Sequence, residues 1–154
     1  MSERINARGL YFEEFSLGDT ALTAGRTITE ADIVNFAGLS GDFSQIHTNA
    51  EYAHQSAMGH RIAHGLLVAS IASGLLAQTG LIEGTVVAFR ELSWKFSQPV
   101  FIRDTICVRS TVTNLRIVPK MHCGAVTLTL EVINQEDKVV QSGQWMVLVA
   151  SQPG

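Results

Sequence analysis

Asp42 and His47 stand five residues apart in the stretch Ser40-Gly41-Asp42-Phe43-Ser44-Gln45-Ile46-His47. A carboxylate and an imidazole are well suited to hold a water molecule and move its proton near neutral pH. On one continuous helix, side chains five residues apart point about 140° away from each other. In a loop opened by Gly41 they can converge on one substrate. The competing reading is structural: Asp42 caps the next turn, and His47 is a satisfied, partly buried histidine. The D-x4-H spacing taken alone favours that second reading.

His64-Gly65 forms a second candidate, at the start of an apolar segment. A helix beginning there points free N–H groups and the positive end of its dipole outward. Gly65 would let a ligand approach the backbone, which suits an oxyanion forming on a carbonyl. Equally, Gly65 relieves crowding and His64 is structural. Ser73 is the third candidate, two turns further along on a face expected to be buried. Its hydroxyl either bonds back to the preceding turn or orients a catalytic carboxylate. His47, His54, His60 and His64 raise the question of a metal. No HExxH pattern or neighbouring cysteine accompanies them, so no metal is expected.

The elements around these residues follow from patterning. Thr29 N-caps a helix expected over residues 30–37, with acids in its first turn and an end near Gly38. A loop and a short helix follow. Residues 65–79 are apolar almost all round, with Gly80 as a stop, so that helix is expected to be buried on every side. The second half supplies the wrapping. Ile106, Val108 and Val112 alternate with polar residues, as do Val126, Leu128, Leu130 and Val132. Residues 138–149 form a third strand pattern after a turn at 134–137. Residues 86–96 form a fourth, whose parity shifts between Phe89 and Leu92 as a bulge would shift it. The expected fold class is α+β, an antiparallel sheet wrapped around one central helix. Its free edges favour a homodimer.

Composition sets outer bounds. The chain has 154 residues, 46% hydrophobic and 16% charged, with a net charge of −3. That suits one domain over residues 1–154 with a sizeable core. Scattered Lys and Arg exclude a basic stripe for nucleic acid or a membrane surface. The longest apolar run is too short to span a bilayer, which takes about 20 residues. The opening MSERINARGLYFEEF lacks the apolar core of a signal peptide, and Cys107 and Cys123 lack a CxxC or metal spacing and read as free thiols. A cytoplasmic location is expected.

Four stretches together resemble the MaoC-like (R)-specific enoyl-CoA hydratases of the hot-dog fold. They are "YFEEFSLGD", "TITEADIVNFAGLSGD", "IAHGLLVASIASGLL" and "FSQPVFIRDT". The resemblance spans nearly the whole chain. It implies that Asp42 and His47 activate water, that the Gly65 N–H faces the thioester oxygen, and that Ser73 supports the catalytic loop. It implies an (R)-specific hydratase/dehydratase needing no cofactor. Coenzyme A, or an acyl carrier protein, would come as part of the substrate. The family loop commonly reads G-D-x-N-P-[LIV]-H, whereas this chain has Ser44 and Gln45 in place of the Asn and Pro. A hot-dog thioesterase and a non-catalytic acyl-thioester-binding subunit are the alternatives.

Overall fold

Phe12, Phe15, Ile28 and Ile33 are apolar residues of the first third of the chain, and all four are buried in one core with the later strands. In the computed structural model, which describes residues 8–154, that core lies between a single sheet and one long helix. The reading of the N-terminal stretch as lacking a signal peptide falls partly on residues 1–7, outside the described residues.

The helices are α1 (Glu30–Ser40), α2 (Gln45–Thr48), α3 (Ala50–Gln55) and α4 (Gly65–Gln78). The strands are β1 (Thr20–Leu22), β2 (Arg26–Thr27), β3 (Val86–Phe96), β4 (Thr105–Val118), β5 (Cys123–Asn134) and β6 (Val139–Ala150). The sheet order is β1-β4-β5-β6-β3, with β2 also paired to β4. All six strands pair antiparallel. This is the wrapped-sheet α+β architecture expected from the patterning.

The alternation in β4 and β5 does what its period requires. Ile106, Val108 and Val112, and Val126, Leu128, Leu130 and Val132, are all at most 4% exposed. Each such side chain contributes about 1.5–3 kcal/mol by leaving water. The register of β3 against β6 shifts between Phe89 and Glu91, where the parity break predicted a bulge. Thr29 caps α1 by accepting from the Asp32 N–H, and Asp32 accepts in return from the Thr29 N–H at 2.8 Å.

Two expectations need correction. Helix α1 does not stop near Gly38 but runs to Ser40. Gly41 takes the left-handed conformation (φ 79°) and donates its N–H to the Ala37 carbonyl, closing the helix three residues later. Helix α4 is not buried on every side. Leu67, Val68, Ala72, Leu75 and Leu76 face the sheet, while Leu66, Ser70, Ser73, Gly74 and Ala77 are exposed. A single sheet can cover only the helix face turned toward it. Among the described residues, no helix is long and apolar enough to cross a membrane.

Candidate active site

The three-residue extension of α1 sets up the site. Beyond Gly41 the chain leaves the helix, and Asp42 sits in the loop before α2, which carries His47. Asp42 and His47 thus lie on different elements, which removes the divergence that one helix would impose. The side chains of Asp42, His47 and His64 bring ligand-type atoms within 4.8 Å of one another.

Each of the three is fixed by specific bonds. Ser44 donates both its backbone N–H (3.1 Å) and its hydroxyl (2.5 Å) to Asp42 Oδ1. Those two donors hold the exposed Asp42 carboxyl below its ordinary pKa, the hydroxyl contributing most, with the nearby His47 and His64 rings adding to the effect. His47 Nδ1 lies 2.7 Å from the Ile62 carbonyl oxygen. A carbonyl only accepts, so the proton sits on Nδ1 and Nε2 is left as a bare acceptor. His64 Nε2 donates to the Asp42 carbonyl oxygen at 2.9 Å. The His47 and His64 rings stack at 3.9 Å with 28° between their planes. One nitrogen of each ring faces a backbone carbonyl oxygen.

The substituted positions of the loop have clear local roles. Ser44 is the residue before α2, yet its hydroxyl turns to Asp42 and makes no cap bond to the helix. Gln45 occupies the first helical position, where proline is also favoured because that N–H needs no helical partner. The Gln45 amide oxygen instead accepts from Asn49 Nδ2 at 3.0 Å.

Gly65 opens α4 on the wall of the same cavity. This cavity, about 740 Å³, is lined by Asp42, His47, His64, Gly65, Phe96 and Gln141, among others. The Gly65 N–H has no acceptor among the described residues. A Cβ added at Gly65 would come within 2.7 Å of the Phe96 ring. The glycine therefore both relieves crowding and leaves the helix terminus open to a ligand. No Lys or Arg lines the cavity, so backbone N–H groups are the donors for a developing negative charge.

Ser73 is not part of this constellation within one chain. It is exposed, where burial was expected, and its hydroxyl donates to the Ser70 carbonyl at 2.7 Å. It lines a separate cavity of about 240 Å³ with Leu76, Leu128, Trp145 and Val147. Eight residues along α4 carry it away from the helix start that Gly65 occupies.

Gln141 was missed by sequence reading. It is 2% exposed on β6. Its Oε1 accepts from Trp94 Nε1 at 2.9 Å, and its Nε2 donates to the Gly65 carbonyl at 3.0 Å. Indole is a donor only, so Trp94 dictates which way the amide faces. The one available signal was a polar residue beside the apolar pair Val139-Val140, in the least regular strand pattern.

Comparison with known proteins now has a geometry to meet. Residues 14–134 match the family described as MaoC like domain. The chain belongs to this family. It is 38% identical to the (R)-specific enoyl-CoA hydratase of Rhodospirillum rubrum over 139 residues, covering 90% of this chain and 91% of that protein. It is 42% identical over 109 residues to Protein MaoC of Klebsiella aerogenes, covering 71% of this chain but only 32% of that longer protein. A solved structure described as a monoamine oxidase regulatory protein, from Archaeoglobus, superposes with a TM-score of 0.89 at 36% identity, covering 96% of this chain and 98% of that one. Membership in the MaoC-like family agrees with the hot-dog architecture described above. Its enzymatic relatives support a hydro-lyase activity.

Proposed function

We propose that this MaoC-like chain reversibly hydrates a trans-2-enoyl thioester to the (R)-3-hydroxyacyl thioester. The observation that carries the reading is His47: its Nδ1 is tied to the Ile62 carbonyl, leaving Nε2 free on the wall shared with Asp42 and Gly65. Asp42 and His47 hold one water. Its oxygen bonds to C3 while its proton passes to the pair, and the electron pair of the C2–C3 double bond moves onto the thioester oxygen. The Gly65 N–H and the α4 dipole stabilise that oxygen. The pair then returns a proton to C2, so atoms and charge balance. The (R) configuration rests on the relative's name and the family resemblance. The chemistry uses no metal or redox cofactor, and coenzyme A or an acyl carrier protein enters with the substrate.

The reading extends to a homodimer. Val86, Val87, Phe89, Leu92 and Phe96 along β3, an edge strand, are each about half exposed. A second copy is the occupant that best fits such an apolar edge. Sedimentation equilibrium tests it, and a monomer at micromolar concentration removes it.

The decisive assay adds purified protein to short- and medium-chain enoyl-CoA and follows loss of the conjugated thioester absorbance. Hydration no faster than that of Asp42→Asn or His47→Ala sinks the hydratase reading. Free thiol release in the same cuvette identifies a thioesterase instead. Binding of enoyl-CoA without either reaction identifies a non-catalytic subunit.

A further inference from the structure

His64 touches both halves of the site. Its peptide bond to Gly65 carries the free N–H at the helix terminus, and its ring binds the Asp42 carbonyl oxygen at 2.9 Å. The ring also stacks on His47 at 3.9 Å and lies 4.9 Å from Phe36. It is 2% exposed, yet its Nδ1 has no hydrogen-bond partner. A buried polar atom without a partner is costly. A phenylalanine would fill the same slot against Phe36 and His47 without that cost. What the imidazole supplies, and phenylalanine cannot, is the N–H held by Asp42.

The hydratase reading gives that bond a purpose. A conjugated enoyl thioester is planar, so the separation of C3 from the carbonyl oxygen is set by the substrate. The protein must hold its water-activating pair and its oxyanion donor at the matching separation. Asp42 sits on the loop after α1, His47 on α2 and the donor on α4, so the donor is 23 and 18 residues away in sequence from the two members of the pair. We infer that His64 is a positioning residue that locks the Asp42–His47 loop to the Gly65 N–H, fixing the span across which the reaction occurs. This inference rests on the proposed hydration.

Two substitutions separate this role from simple packing. His64→Phe keeps the aromatic contacts and removes the donor. His64→Gln places an amide nitrogen close to where Nε2 lies. His64→Phe is expected to lower kcat about 100-fold while KM changes less than about threefold, the signature of misplaced groups rather than lost binding. His64→Gln is expected to recover at least about tenfold of that loss. Hydrogen exchange in residues 41–47, measured without substrate, is expected to accelerate in His64→Phe and return toward wild type in His64→Gln. A His64→Phe protein that folds and keeps kcat within about threefold of wild type overturns the inference. So does a His64→Gln variant no faster than Asp42→Asn, which also decides the matter if His64→Phe does not fold. Unchanged exchange in residues 41–47 of a folded His64→Phe overturns it too. An inactive wild type removes the hydratase reading instead, and the exchange measurement still judges the contact.

Discussion

The start and the middle of α4 differ in what they ask of their surroundings. At the start, the helix N–H groups are free, and His64, Gln141 and the Asp42 loop converge there with directed hydrogen bonds. Eight residues on, the hydroxyl of Ser73 returns to its own helix, and the cavity beside it is lined by Leu76, Leu128, Trp145 and Val147. An α-helix exposes unsatisfied donors only at its N-terminus, so acid–base and oxyanion chemistry gathers there. The middle of the same helix has spent its backbone groups internally and offers only side-chain packing. One element thus carries a reacting end and an apolar flank.

The largest effects belong to the polar end. Asp42→Asn and His47→Ala are each expected to slow hydration by about 10²–10⁴-fold without unfolding the chain, since both side chains lie at the edge of the core. Circular dichroism beside the enoyl-CoA assay checks this, and a modest loss would move the reacting centre elsewhere. Gly65→Ala comes next, with a fall of about 100-fold, because its Cβ would strike Phe96 and shift the oxyanion donor. Pairing it with Phe96→Ala should return part of the rate. No recovery would show that the glycine matters for ligand approach alone.

Ser44→Ala reads the electrostatics of the loop. Ser44 holds Asp42 below its ordinary pKa, so Asp42 stays ionised to lower pH than a free carboxylate. Removing the hydroxyl lets Asp42 protonate sooner on acidification. The acid limb of kcat/KM is therefore expected to move to higher pH, and a limb that stays in place argues that Asp42 does not govern it. The smallest effect is assigned to the apolar flank. Ser73→Ala removes one hydrogen bond within α4 and should change kcat less than about tenfold. A loss as large as that of Asp42→Asn would dissolve the contrast and bring Ser73 into the site from a second copy.

Local pattern carried a good deal of this. The Thr29 cap, the burial alternation in β4 and β5, the bulge after Phe89 and the glycine before Asp42 each depend on residues close in sequence. So does the departure of Asp42 and His47 from a common helix. Two local expectations depart from the structure, each for its own reason. Patterning ends α1 near Gly38, but a helix tolerates an internal glycine, and the stop comes where Gly41 adopts positive φ. Ser73 was expected on a buried face because an all-apolar helix gives no phase from which to read its exposed side.

By itself, the sequence determined the wrapped-sheet α+β class, the family and the presence of a carboxylate and an imidazole beside a glycine-initiated helix. Periodicity, caps and turn residues act over a few positions, so they are written locally. The tertiary structure alone decided which nitrogen of His47 is free, that His64 reaches Asp42, and that Gln141 on β6 grips Gly65. Those bonds join residues 15, 22 and 76 positions apart. Their lengths depend on sheet register and on the rotation of α4 about its axis, and only the packing of the whole core sets those two quantities.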